Sequence, residues 1–205
     1  MTHAATEPQT RNIRATIFWV ALFGLAALYL LQTITPLRLD NDSVAYLDIT
    51  VSLVEGTARP ETGLPLGYPA YASLLDRFGI ASSISLVLSN CLFLATGLAS
   101  VWHMLGSRHE ARRRWTVAIA LLAVPVVRSI AMPLPEPMFF GVSLLALAVM
   151  TAADDFDGAK RLQLLLMAIV LTAIAITTRL VGFALVPALW CGPVSPGHIG
   201  KGSPA

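Results

Sequence analysis

Long apolar runs are the feature that most limits how this chain can fold. They cover residues 15–31, 80–105, 115–127, 138–153 and 162–178. A transmembrane helix needs about 20 predominantly apolar residues. Hydrophobic residues make up 56% of the chain and charged residues only 13%, about half the charged share of soluble domains. The sequence therefore predicts an all-α, polytopic membrane protein with about five transmembrane helices.

Three features limit how these runs are used. No small-residue cleavage site follows the first run, so it is interpreted as an uncleaved transmembrane helix. Pro125 and Pro133 are expected to bend or end the third run. Arg179 interrupts the last run, and residues 180–190 beyond it are apolar but too short to cross alone.

Composition also argues against several other classes of protein. The net charge of +2 is too small to indicate a nucleic-acid partner. Cys91 and Cys191 lie far apart, and the four histidines are scattered without ligand spacing. We therefore expect neither a disulfide framework nor a metal site made of histidine and cysteine.

Basic residues predict the orientation of the chain in the membrane. Arginines are concentrated between residues 106 and 114, and short cytoplasmic loops are enriched in such residues. The sequence thus predicts a multi-pass protein of the cell (inner) membrane with a cytoplasmic N-terminal tail, residues 1–14. A membrane domain, residues 15–190, and a disordered Gly-, Pro- and Ser-rich tail, residues 191–205, follow. The first outer loop is then 36–79.

The first outer loop holds half of the acidic residues of the chain. A surface helix is predicted in it, capped by Asn41 or Asp42 and ended by Gly56. Its helical period gives an apolar stripe that faces either lipid or the membrane spans, made of Val44, Leu47, Val51 and Val54. Residues 57–69, rich in proline and glycine, are predicted to be an irregular loop.

Several short motifs resemble those of the GT-C class of membrane glycosyltransferases. A D-x-x-x-Y pattern occupies residues 42–46, and Pro-Leu-Gly-Tyr-Pro occupies residues 65–69. Pro-Glu-Pro-Met at 135–138 and Thr-Arg-x-x-Gly at 178–182 resemble the later motifs. The closest similarity is to the bacterial branch with protein mannosyltransferases, aminoarabinose transferases and the lipopolysaccharide-core "Rgt-like" transferases. It covers roughly residues 15–190.

The resemblance implies a reaction and a base for it. A sugar carried on a polyprenyl phosphate would be transferred to an acceptor hydroxyl of a glycan, lipid or protein at the outer membrane face. A carboxylate must accept the hydroxyl proton during the attack. Asp42, in the D-x-x-x-Y position, is the first candidate, and Asp40 is the second.

The resemblance also implies residues that bind the substrates. Arg179 would stabilise the charge of the departing phosphate, and Arg128 is a second candidate cation. Glu136 would bind donor or acceptor. Side chains available to hydrogen-bond sugar hydroxyls are Tyr46, Asp48 and Tyr68. No organic cofactor is implied, and a divalent cation that assists the phosphate stays an open alternative.

The candidate acids and the first tyrosine have structural interpretations as well. Asp42 fits a helix N-cap, a role that aspartate favours. Asp40 fits a solvated loop acid. Tyr46 lies one turn after Asp42 and fits an aromatic anchor at the lipid interface.

The candidate cations and their neighbours have such interpretations too. Arg179 and Arg128 fit snorkelling residues near the ends of spans. Glu136 fits a cap of the fourth span. The turn at residues 65–69 fits a purely structural role, in which it directs the loop back to the second span.

The chain is about half the length that is usual in this class. We therefore expect either a part of a longer catalytic unit or a minimal form that acts with a larger membrane partner. The competing hypothesis is a non-catalytic multi-pass membrane protein, either a degenerate relative or an accessory subunit. A transporter is a third hypothesis, although no repeated halves are evident.

Overall fold

The computed structural model describes residues 7–57, 63–106 and 110–187, with side chains from residue 15 onward except 124–125. These ranges are helical and contain no strand. The helices are α1 (Glu7–Leu31), α2 (Asn41–Glu55), α3 (Gly67–Arg77), α4 (Ser83–Met104), α5 (Glu110–Leu122), α6 (Val124–Ile130), α7 (Glu136–Ala153) and α8 (Gly158–Thr178). The all-α, polytopic membrane fold is thereby confirmed.

The two predicted tails can be compared with the described residues only in part. The tail at residues 191–205 lies outside the described residues. At the other end, α1 already begins at Glu7, eight residues before the predicted boundary of the membrane domain.

Four described helices are long and apolar enough to cross a membrane. Their spanning segments are Ala15–Ile34, Ser83–Met104, Glu136–Ala153 and Gly158–Thr178. They match the first, second, fourth and fifth predicted spans to within a few residues. The third predicted span does not form one long helix.

The third predicted span is broken into α5 and α6. Ala123, between them, has an extended backbone (φ −64°, ψ 122°), and Pro125 falls in the first turn of α6. Proline cannot donate the backbone hydrogen bond that a continuous helix would need there. One end of the pair places Arg113 over Trp102 of α4, and the other places Ile130 beside Asn90 of α4. Within the described ranges the broken pair thus runs along α4.

Two glycines allow α4 and α7 to pack in close contact. A Cβ at Gly97 would lie 2.6 Å from the Phe140 ring, and a Cβ at Gly141 would meet the backbone carbonyl of Phe93. A ring can turn aside, whereas a helix backbone cannot move without shifting the whole element. Gly141 is therefore the more restrictive position of the two.

We expect Gly141→Ala to destabilise the protein by about 1–3 kcal/mol, because a methyl group would be forced against the backbone of α4. Far-ultraviolet ellipticity during heating in detergent measures this as a lower melting temperature. Gly24→Ala is the matched control, since nothing lies within 4 Å of a Cβ there. A Gly141→Ala protein as stable as wild type would mean that α4 and α7 do not cross at this glycine.

Helix α2 presents its predicted apolar stripe outward. Val44, Val51 and Val54 are exposed. The opposite face packs on the protein through Ser43, Tyr46, Ile49 and Thr50. The exposed residues of the stripe therefore do not pack against the spans, which favours the lipid-facing one of the two predicted orientations.

Helix α3 is an element that the sequence pattern did not predict. The prediction of a loop over 57–69 is wrong at its end, since α3 begins at Gly67. Its Pro69 lies in the first helical turn, where proline is tolerated because no intrahelical donor is needed. Residues 58–62 of that loop lie outside the described residues.

Candidate functional site

An ion pair joins two of the predicted site residues across 43 positions of sequence. The Arg179 Nη1 atom donates to Glu136 Oε1 at 2.5 Å. Glu136 is the first residue of α7, and Arg179 follows directly on the last residue of α8. Arg179 therefore contacts a protein carboxylate rather than only snorkelling. Glu136 likewise binds a side chain instead of capping its helix.

The chain turns back after Arg179 because Gly182 allows a close approach to α8. Arg179 has an extended backbone (φ −148°, ψ 136°), and a 3₁₀ helix, Leu180–Ala184, begins after it. A Cβ at Gly182 would lie 2.8 Å from the backbone of Ile176, so only glycine lets this turn fold back onto α8. The Thr-Arg-x-x-Gly motif thus has a physical basis, since its glycine holds the arginine at the end of the helix.

A third glycine brings α3 to the same place. A Cβ at Gly67 would lie 2.7 Å from the backbone of Thr177 and Thr178. The N-terminus of α3 therefore lies against the C-terminus of α8. The next residue, Tyr68, is fully buried between α2, α3, α7 and α8.

Tyr46 and Tyr68 contact each other edge to face. Their ring centroids are 6.0 Å apart and their planes meet at 79°, an arrangement that aromatic pairs prefer. Tyr46 is only 5% exposed. It is thus part of the protein interior, and its interpretation as an anchor in the lipid interface is wrong.

The charges around Tyr46 link this pair to the ion pair. Burial raises the pKa of Tyr46, and the nearby carboxylates of Glu136 and Asp42 raise it further, whereas Arg179 lowers it. Tyr46 and Tyr68 also pack with Met138 of α7 and Ala175 of α8, near the ion pair, and Asp42 lies one turn before Tyr46 on α2. We call Asp42, Tyr46, Tyr68, Glu136 and Arg179 the polar cluster. Its members come from four separate parts of the sequence.

Two buried polar atoms of the polar cluster have no hydrogen-bond partner among the described residues. They are the Tyr68 hydroxyl oxygen and Glu136 Oε2. Burial is the main cause of a raised Tyr68 pKa, with Tyr71 and Glu136 adding to it. An unsatisfied buried polar group costs about 1–3 kcal/mol. Such atoms are suited to hydrogen-bond a bound molecule.

We expect Tyr68→Phe to raise the free energy of unfolding of the ligand-free protein by about 1 kcal/mol, since it removes an unsatisfied hydroxyl. Thermal unfolding in detergent measures the change. Tyr71→Phe is the matched control. Its hydroxyl donates to Ser89 Oγ at 2.6 Å, so its removal should lower stability. A less stable Tyr68→Phe protein would show that the hydroxyl already has a partner.

Asp40, rather than Asn41 or Asp42, caps α2. The Ser43 backbone NH donates to Asp40 Oδ1 at 2.8 Å, and the Asp40 NH donates to Ser43 Oγ at 2.7 Å. This reciprocal pair is a capping box. The prediction of Asn41 or Asp42 as the cap is therefore wrong, and Asp42 stands exposed in the first turn, free of that role.

The capping role makes Asp40 a poorer base. The hydrogen bond from the Ser43 backbone is the main cause of a lowered Asp40 pKa, and the charge of Arg128 lowers it further. A carboxylate stabilised in its ionised form accepts a proton less readily. Arg128 is exposed and forms no ion pair with the candidate acids in the described part of the chain.

Asp48 stands apart from the polar cluster. Its side chain is exposed, and within the described ranges no hydrogen bond or ion pair joins its carboxylate to another group. Asp48 follows Asp42 by six residues, which places the two on different sides of the helix. The structure therefore gives Asp48 no contact with the other candidate site residues.

Asn90 helps to hold the site and was missed in the sequence. It is buried in α4, and its Nδ2 donates to the carbonyl oxygens of Ile130 and Met132, each at 3.0 Å. The Arg38 NH donates to the Ala131 carbonyl oxygen at 2.9 Å. These bonds fix the link before Glu136 and the start of the acidic loop. The available signal was a single amide within an apolar run.

A cavity of about 230 Å³ lies beside Glu136, between α4, α6 and α7. Apolar side chains and Ser129 form most of its wall. The residue that brings charge to it is Glu136, one of whose oxygens is unpartnered. The site thus combines an apolar groove with a polar end.

The comparisons with known proteins give no relative. No protein-family model, no curated protein and no solved structure matches the chain. Among the described residues, no group of three His, Cys, Asp or Glu side chains could hold a metal ion.

Proposed function

We propose that this chain belongs to a membrane glycosyltransferase of the GT-C type. It would move a sugar from a polyprenyl-phosphate carrier to an acceptor hydroxyl at the outer membrane face. The observation that supports this most is the polar cluster itself. An exposed carboxylate, a cation and buried unsatisfied polar atoms lie at one end of an apolar bundle. A lipid-borne anionic donor requires such a combination at a membrane surface.

Each group has a role in the proposed reaction. Asp42 accepts the proton of the acceptor hydroxyl as its oxygen bonds to the anomeric carbon. The bond between that carbon and the phosphate oxygen breaks, and polyprenyl phosphate leaves with its electrons. Arg179, about 43% exposed, keeps donors available for the phosphate while Glu136 orients it. The unpartnered Tyr68 hydroxyl is suited to bind a sugar hydroxyl.

The proposal can be tested by reconstitution. The full chain in liposomes would be given polyprenyl-phosphate-linked mannose or aminoarabinose together with native membranes as the source of acceptor. We expect release of polyprenyl phosphate above that of empty liposomes. Failure with every donor, in a protein of native melting temperature, would favour the non-catalytic hypothesis.

The proposed orientation gives a prediction of its own. In a Cys91→Ala, Cys191→Ala background, we expect a membrane-impermeant maleimide to label Asp48→Cys in right-side-out spheroplasts, because α2 would lie outside. Arg112→Cys is the control and should react only after permeabilisation. Both positions are exposed. The reverse pattern would place the polar cluster in the cytoplasm and remove the donor from its reach.

A further inference from the structure

An apolar cavity shares none of its lining residues with the polar cluster. It is a groove of about 510 Å³ between α1, α4 and α5. Its wall is apolar and contains small residues such as Ala26, Ala95 and Ala99. These leave a gap along the middle of α1, whose spanning window is only 6% buried. At this depth of a bilayer the available filling is hydrocarbon.

The groove has two different ends. At one end the Tyr29 hydroxyl donates to the Leu121 carbonyl oxygen. At the other end, the ring centroids of Trp19 and Trp102 are 5.9 Å apart. The Tyr29 end lies nearer the polar cluster, since α1 runs from Trp19 toward the acidic loop that begins after it.

Two arginines stand at the tryptophan end. The Arg113 guanidinium lies 4.1 Å from the Trp102 ring centre, and that of Arg114 lies 5.7 Å from the Phe18 ring centre. Arg114 also pairs with Glu110. The Nε atoms of both arginines are buried without an acceptor among the described residues. Of the two arginines only Arg114 has a carboxylate partner among the described residues, which leaves positive charge and unused donors at this end.

We propose that this groove binds an anionic phospholipid of the bilayer. Its acyl chain lies against Trp19, Ala95 and Trp102, and its phosphate accepts hydrogen bonds from Arg113 and Arg114. Charge complementarity selects an anionic headgroup over a zwitterionic one. The polyprenyl-phosphate donor is not the occupant, because a headgroup held here would lie at the opposite end of the bundle from Arg179. The proposal is independent of the glycosyltransferase function.

Tryptophan quenching by brominated lipids tests the proposal directly. The full chain with Trp115→Phe and Trp190→Phe, which leaves Trp19 and Trp102, would be placed in phosphatidylcholine liposomes. Dibrominated phosphatidylglycerol or dibrominated phosphatidylcholine is then added as a minor component. We expect phosphatidylglycerol to quench with about tenfold higher apparent affinity, since each basic residue near the surface contributes severalfold. Equal quenching by both lipids would overturn the proposal.

Matched variants distinguish specific binding by Arg113 and Arg114 from a general attraction of anionic lipid to surface arginines. Arg113→Gln with Arg114→Gln should abolish the preference, and the corresponding lysine pair should retain part of it. Arg112→Gln removes one positive charge at an exposed neighbour outside the groove and should leave most of the preference in place. Ala95→Leu should reduce quenching by filling the groove. An equal loss in Arg112→Gln, or undiminished quenching in Ala95→Leu, would overturn the proposal, as would a second protein copy that excludes both lipids.

Discussion

Asp42→Asn is expected to lower the rate of sugar transfer by about 10²–10⁴-fold, the contribution of a general base. The substitution keeps the size of the side chain and removes its ability to accept a proton. It should leave stability nearly unchanged, because Asp42 is exposed and does not cap α2. Release of polyprenyl phosphate from the donor measures the rate, and the melting temperature measures the fold.

The control for this prediction lies two residues away. Asp40→Asn makes the same neutralisation, and asparagine caps helices as well as aspartate. It should therefore keep both stability and transfer, whereas Asp40→Ala should cost about 1 kcal/mol of stability. Asp48→Asn should also keep transfer. If Asp40→Asn is inactive and Asp42→Asn is active, the base has been assigned to the wrong aspartate.

Arg179→Gln is expected to lower transfer by about 10²–10³-fold, comparable to the loss of an electrostatic donor at a transition state. The reason is the loss of the cation that meets the departing phosphate. The slower transfer should appear as a lower kcat as well as a higher KM, since charge grows on the phosphate as the bond breaks. Initial rates at several donor concentrations separate the two constants.

Glu136→Gln tests whether Arg179 acts on the phosphate or only holds α7 and α8 together. It breaks the same ion pair but leaves the guanidinium in place. If Arg179 acts on the phosphate, Glu136→Gln should be clearly more active than Arg179→Gln at similar melting temperatures. Equal loss of activity and of stability in both variants would mean that the ion pair only holds α7 to α8.

The long helices could be predicted from the sequence because length and apolarity are local properties. The starts of α7 and α8 fall within a few residues of prediction for that reason. The break near Ala123 agrees with the bend or end predicted from Pro125, whereas the presence of α3 could not be read in this way. Proline breaks a helix in its interior but is tolerated in its first turn, so its presence alone does not say whether a helix ends or begins. Only the packing of Gly67 on Thr177 shows which case applies.

The residues of the polar cluster were candidates from the sequence, whereas their contacts with one another were not predictable. Glu136 and Arg179 stood out because charges near apolar runs are costly, but 43 residues of sequence conceal their contact. Asp40 and Asp42 both precede a helical pattern at distances that suit a cap. Ser43 decides between them, since its backbone NH donates to Asp40 Oδ1 and its Oγ accepts from the Asp40 NH.

The central claim is that a phosphate-linked lipid sugar binds at the polar cluster, and photo-crosslinking tests it most directly. Liposomes with the full chain would be irradiated with a photoreactive polyprenyl-phosphate mannose, and the labelled peptides would be identified by mass spectrometry. We expect saturable labelling around Tyr68, Glu136 and Arg179 that unlabelled donor prevents and Arg179→Gln weakens. Labelling confined to other parts of the bundle, or unchanged in Arg179→Gln, would contradict the account.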